Sequence, residues 1–187
     1  MTNKDTLSDS QKDRLKNKLL NILSTLHKKY FGTALVIINS IPDKCRLNQK
    51  SYDHAILKKE NKKKLHPTRP IRGGIYNTLI SEDNVGSELN GNHLCIVISN
   101  KKKNLYSEKV NVIPIEGDGN KIDPINNIQL KNNDLEDGSL DKDPSKIIGG
   151  DIMTLDKARL GQKIGKLKSE KLDEVIEMIK AQLGIIK

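Results

Sequence analysis

The residue best suited to moving a proton is His93, which stands directly before an apolar run from Leu94 to Ile98. An imidazole ordinarily titrates near about 6.5, so it can give or take a proton close to neutrality. Read alone, a histidine at the head of a buried strand is a polar strand end. Glu116 follows the largely apolar stretch 110–115 and precedes Gly117-Asp118-Gly119. A carboxylate there can serve as a base; read alone, it is a solvated turn residue. Glu88 lies with Ser87 between Gly86 and Gly91, glycines suited to turn geometry. Its carboxylate can orient a catalytic partner, or it can hold its loop's own amides. Arg69 and Arg72 flank the start of a strand-like segment, where an arginine contacts phosphate or simply faces solvent. Lys101-Lys102-Lys103 reads as a solvated hairpin tip.

No group of His, Cys, Asp or Glu has metal-ligand spacing, so neither a metal nor another cofactor is expected. The segment 116–143 carries eight acidic residues against three lysines, yet lacks the Gly and Glu positions of a calcium-binding loop. Two cysteines, Cys45 and Cys95, make no disulfide framework, and Cys95 inside its apolar run reads as a small buried hydrophobe. The polar N-terminus and apolar runs of at most five residues fit neither a signal peptide nor a membrane span, so a cytoplasmic protein is expected. The net charge of +9 is unevenly placed: residues 1–68 hold 15 Lys and Arg against 6 Asp and Glu, whereas residues 69–187 hold 18 of each. A basic block of that kind attracts polyanions or is a solvated face.

Residues 8–30 carry Leu15, Leu19, Ile22, Leu23 and Leu26 at helical spacing, with Ser8 or Ser10 as cap. A short apolar element, 32–42, is expected to end or kink at Pro42. Residues 43–68 are polar and finish in a lysine run and two prolines, which places a linker there and a boundary near Thr68. The expected division is thus a basic, mainly helical extension over 1–68 and a second domain over 69–187. Beyond the boundary, strands are expected at 75–80, 93–100, 110–115, 127–131 and 146–155. A short helix around 156–160, a strand at 163–167 and a final helix from Ser169 to Gly184 follow. Several short strands with one terminal helix make an α+β, barrel-like domain.

Four blocks then resemble one family in order and spacing. Arg72-Gly73-Gly74-Ile75-Tyr76 resembles the R-G-D-[IV]-[YW] opening of MazF/PemK toxins, and residues 86–93 resemble their G-S-E-x-x-G-x-R loop. Val112-Ile113-Pro114-Ile115 is similar to their V-x-P-[IL] strand, and residues 151–161 resemble Q-I-R-T-[IV]-D-K-x-R-L-G. Residues 1–68 lie outside the resemblance. His93 stands where the family has its catalytic Arg, Glu116 where it has Thr or Ser, and Asp151 and Met153 where it has Gln and Arg.

The resemblance implies an SH3-like, MazF-type β-barrel with a C-terminal packing helix. It also implies a metal-independent endoribonuclease toxin that cuts single-stranded RNA at short sequences by 2′-OH attack, works as a homodimer and is neutralised by a cognate antitoxin. Its architecture places Glu116 near His93, so that the two can divide acid and base duties, with Glu88 as the third catalytic candidate, orienting a catalytic partner. Ser87, Asn92, Arg72, Arg69 and Arg159 are the implied substrate contacts, and for Arg159 a structural salt bridge is the alternative. The other reading of the whole chain is a noncatalytic MazF-like module that binds RNA or protein.

Overall fold

Helix formation begins where the capping chemistry allows it. The structure, a computed structural model, describes residues 6–185. Ser8 accepts from the Gln11 amide, and the Gln11 side chain returns a bond to the Ser8 amide. This capping box starts α1, Asp9–Thr25. His27 opens a single 3-10 turn, Lys28–Tyr30, and α2 follows over Phe31–Glu60.

The helix α2 departs from the sequence expectation. Pro42 sits inside it and does not end it, and most of the expected linker is helical. A proline removes one intrahelical hydrogen bond, whereas the residues beyond it gain contacts with the rest of the chain. Leu47 is buried, Lys50 Nζ donates to the carbonyls of Ala158 (2.9 Å) and Leu160 (3.4 Å), and Ser51 Oγ donates to Asp156 (2.8 Å). Lys58 pairs with Glu108 at 2.6 Å and holds that carboxyl below its usual range.

From residue 74 the chain is mainly strand: β1 Gly74–Ile80, β2 Gly91–Val97, β3 Lys109–Glu116, β4 Asn127–Leu130, β5 Leu135–Gly138, β6 Ser145–Ile148, β7 Met153–Asp156 and β8 Leu160–Leu167. They form one antiparallel sheet in the order β4-β6-β3-β2-β1-β8-β5, with β7 also on β3. Six strand spacings would put the edges about 29 Å apart in a flat sheet. The edges are nevertheless joined by residues 131–134 alone, a link spanning at most roughly 18 Å. The sheet therefore has to curl into an open barrel.

Its concave core joins Ile75, Ile96, Ile113, Leu130, Ile147 and Leu167 to Val175 and Ile179 of the closing helix α4, Ser169–Gln182. The other faces of β1 to β3 bury Tyr76, Cys95, Val97 and Val112 in a second cluster, which explains their nearly continuous apolar runs. Burial pushes the Cys95 thiol up to about 11.

Several local expectations shift. The stretch 146–155 is two strands parted at Gly149-Gly150, and β5 arises within the acidic segment. Lys101-Lys102-Lys103 starts a short helix, α3 Lys101–Tyr106, capped by Asn100, rather than a hairpin tip. The expected helix around 156–160 is a single 3-10 turn, Lys157–Arg159. Ser169 is the first residue of α4, and its cap is Lys168. Pro114 lies inside β3, where the neighbour changes from β7 (paired to Lys109–Val112) to β6 (paired to Ile115 and Glu116), so its missing N–H costs no ladder bond on that side.

Where α2 meets the barrel, His54 packs edge-on against His66 with ring centroids 5.0 Å apart. His54 Nδ1 is buried with no hydrogen-bond partner among the described residues, and Lys157 beneath is fully buried, donating to the Asn104 carbonyl at 2.6 Å. Desolvation lowers both histidines, with Lys50 adding to this at His54 and Lys157 at His66; it also lowers Lys157, to about 8. A histidine lowered on folding binds its proton more readily when unfolded. Its contribution to stability is complete above its unfolded value of about 6.5 and is lost as pH falls through the window below that. The urea midpoint should therefore drop between pH 7.5 and 5.5, and less steeply in His54→Gln. Equal slopes in the two proteins would refute this assignment.

Candidate functional site

The antiparallel pairing of β2 with β3 matches Leu94 to Ile115, and β3 continues onto β6 with Glu116 opposite Lys146. One step beyond Leu94 and Ile115, where the pairing of β2 with β3 ends, His93 and Glu116 line a single cleft of about 400 Å³. Asn92 and Lys142 also line it. His93 is half-buried, and its Nε2 lies 2.7 Å from the Asn90 carbonyl. A carbonyl only accepts, so Nε2 carries the hydrogen in that bond and Nδ1 is the nitrogen left to exchange a proton. Glu116 Oε2 is 3.2 Å from Lys146 Nζ, whose side chain is mostly buried.

Local backbone chemistry builds the far wall. Ser145 Oγ donates to the Lys142 carbonyl at 2.7 Å, and the Gly119 amide donates to the Pro144 carbonyl at 3.1 Å. The Lys142 side chain crosses Gly117 so closely that a β-carbon there would lie 2.2 Å from Lys142 Cδ. Glycine at 117 thus lets an ammonium group reach the cleft. The cleft is lined by one imidazole, one lysine and two carboxylates, Glu116 and Asp141, with Lys146 paired to Glu116. Such a set suits a phosphodiester, the cations balancing charge on phosphorus while the imidazole and a carboxylate exchange protons.

The remaining sequence-derived candidates lie elsewhere. Glu88 accepts from the Val85 amide at 3.0 Å, closing its own loop, and lines a separate hollow with Asp151 and Met153. Ser87 is exposed on the same loop, whose Gly86 and Gly91 have φ of +63° and +79°. Arg69 and Arg72 are exposed at the opposite end of β1 from Thr78, the residue that pairs with His93. Among the described residues Arg159 makes no salt bridge. It donates to the Leu79 carbonyl at 2.9 Å and lines a polar hollow under α2 with Lys44, Asp83 and Asp156.

Sequence reasoning passed over Lys142 and Lys146, because one lies in an acidic segment and the other opens a strand. Their only local signal was their position next to turn residues. Among the described residues, no three His, Cys, Asp or Glu side chains gather as a metal-ligand group.

Against known proteins, the chain is 35% identical over 114 residues to Endoribonuclease MazF of Staphylococcus saprophyticus, covering 61% of this chain and 91% of that protein. Solved structures that resemble it include MazF from Deinococcus radiodurans (17% identity, 62% of this chain and 96% of that one, TM-score 0.49). Another is an endoribonuclease from a mycobacterial species (16% identity, 62% and 92%, TM-score 0.48). Residues 71–183 match the family described as PemK-like, MazF-like toxin of type II toxin-antitoxin system, and the chain belongs to that family.

Proposed function

We propose that this chain is a sequence-selective endoribonuclease that cleaves single-stranded RNA without metal, by attack of the substrate's own 2′-OH. The observation that carries this reading is the cleft shared by His93, Glu116 and Lys142, with Lys146 paired to the carboxylate. The curated relative, named as an endoribonuclease, supports the same class of reaction.

In the proposed step Glu116, paired with Lys146, takes the 2′-OH proton. The 2′-oxygen then bonds to phosphorus. The bond from phosphorus to the 5′-oxygen breaks, and His93 gives its Nδ1 proton to that oxygen. The products are a 2′,3′-cyclic phosphate and a 5′-OH. Lys142 and Lys146 stabilise the extra charge on the phosphorane. Asn92 at the rim contacts the RNA, with Ser87 beside it on the preceding loop. Arg69, Arg72 and Arg159 are outside the reacting centre, and any contact they make is with flanking RNA. A cognate antitoxin and a second copy of the chain are the proposed protein partners, the first following from the family's toxin-antitoxin character.

Incubation of the purified protein with a long RNA in EDTA, followed by end-group analysis, tests the reaction. Cyclic or 3′-phosphate ends with 5′-OH partners are expected. Cleavage that needs added divalent ion and leaves 5′-phosphate would refute the proposed chemistry. No cleavage in either buffer would favour a noncatalytic binding module.

A further inference from the structure

The proposed cleavage makes no use of α1 or of the start of α2, yet these carry the most apolar surface of the chain. None of the 17 residues of α1 is buried. Twelve large apolar side chains between Leu15 and Ile41 are exposed, among them Leu19, Leu23, Phe31, Val36 and Ile37. Residues 31–41 contain no charged side chain, and Phe31, Leu35, Val36 and Ile37 point away from the helix on several sides. A helix apolar around its circumference is stable only when surrounded. Between α1 and α2 runs an apolar groove of about 270 Å³ whose walls include Leu19, Leu23, Leu26, Ala34, Ile37 and Ile41.

We infer that this helical hairpin is an interface between two copies of the chain, with α1 of each seated in the α1/α2 groove of the other. The surface is self-complementary, since the stripe that fills the groove and the groove itself belong to one hairpin. A two-fold pairing satisfies both at once. From residue 19 to residue 41 the only charges are Lys28 and Lys29 at the turn, and Lys29 Nζ lies 4.9 Å above the Tyr30 ring. The groove walls therefore neither repel a second copy nor select a charged partner.

The apolar area left open is on the order of 500 Å² per chain, at the side-chain areas that underlie transfer energies. With a polar rim this approaches the ~800 Å² per partner of a standard interface. A membrane is a poor occupant. The uncharged stretch is about 17 Å long as a helix against a hydrocarbon core of ~30 Å, and no described helix is long and apolar enough to cross.

This interface lies outside residues 71–183, the part that matches the family, so it is additional to any pairing of the barrels and is independent of catalysis. Light scattering of the full chain at about 50 μM should give the mass of two copies or a multiple of it, and Leu23→Glu/Ile37→Glu should halve that mass. Ile22→Lys, altered on α1 alone, should do the same, with far-ultraviolet circular dichroism showing that α2 and the barrel stay folded. A wild-type mass unchanged in both variants assigns association to another surface and overturns this interface while leaving self-association standing. A wild-type monomer at that concentration overturns both, and co-sedimentation with phosphatidylcholine–phosphatidylserine vesicles would then assign the groove to lipid.

Discussion

His93→Ala is expected to lower the rate of RNA cleavage at saturating RNA by roughly 10²–10⁴-fold, the span of one lost proton transfer. The fold should survive, because the imidazole is only half-buried and its hydrogen bond is to the Asn90 carbonyl, three residues away. Glu116→Gln keeps the shape of the side chain but cannot take the 2′-OH proton. It should also lower the rate and remove the limb of the pH–rate profile that reports the base. The two effects should be less than additive in the double variant, since both residues act in one step. Full activity in His93→Ala would sink the assignment. Activity that is undetectable in wild type and variant alike would favour the binding module.

RNA affinity is expected to fall on the order of 10²-fold in 0.1 M salt when Lys59, Lys62 and Lys63 are all changed to Gln. Each phosphate contact on a single strand adds about 0.7 to the slope of log affinity against log salt, so three lost contacts flatten it by about 2. All three side chains are exposed at the end of α2 and in the turn after it, whereas Lys64 Nζ is engaged with the Lys59 carbonyl at 2.6 Å. The physical case rests on charge placement. Residues 69–187 carry no net charge and include an acidic segment, while residues 1–68 carry the whole excess of +9. The structure gives α2 two faces. One is held to the barrel through Leu47, Lys50 and Lys58; the other leaves Lys59 in solvent, and Lys62 and Lys63 are exposed in the turn that follows. The same packing means that a shortened chain beginning at residue 69 would uncover the contacts of α2, so point substitutions are the cleaner test of capture. An unchanged salt slope in the triple variant would rule out the capture role and leave the extension a structural part.

The family and most of the barrel are legible in short-range patterns along the chain. Short apolar runs such as 94–98 become strands because both their faces are covered, one by the core under α4 and one by the second cluster. The four ordered blocks were legible because turn glycines and buried hydrophobes are local demands that leave local marks. The sequence also pointed to His93 and Glu116, which the register of β2 and β3 carries to one cleft.

The rest depends on residues far apart in the chain. Glu88 and Arg159 sit in matching motifs, yet the fold turns one onto its own loop and the other toward Leu79. Lys142 and Lys146 join the site only because the turn before β6 folds back across Gly117 and β6 pairs with β3. Pro42 reads as a stop when only backbone hydrogen bonds are weighed, but the helix runs on to Glu60, with Leu47, Lys50 and Lys58 meeting the barrel. Long-range pairing and packing have no period and no motif, so only the assembled sheet and the helix against it could place those side chains.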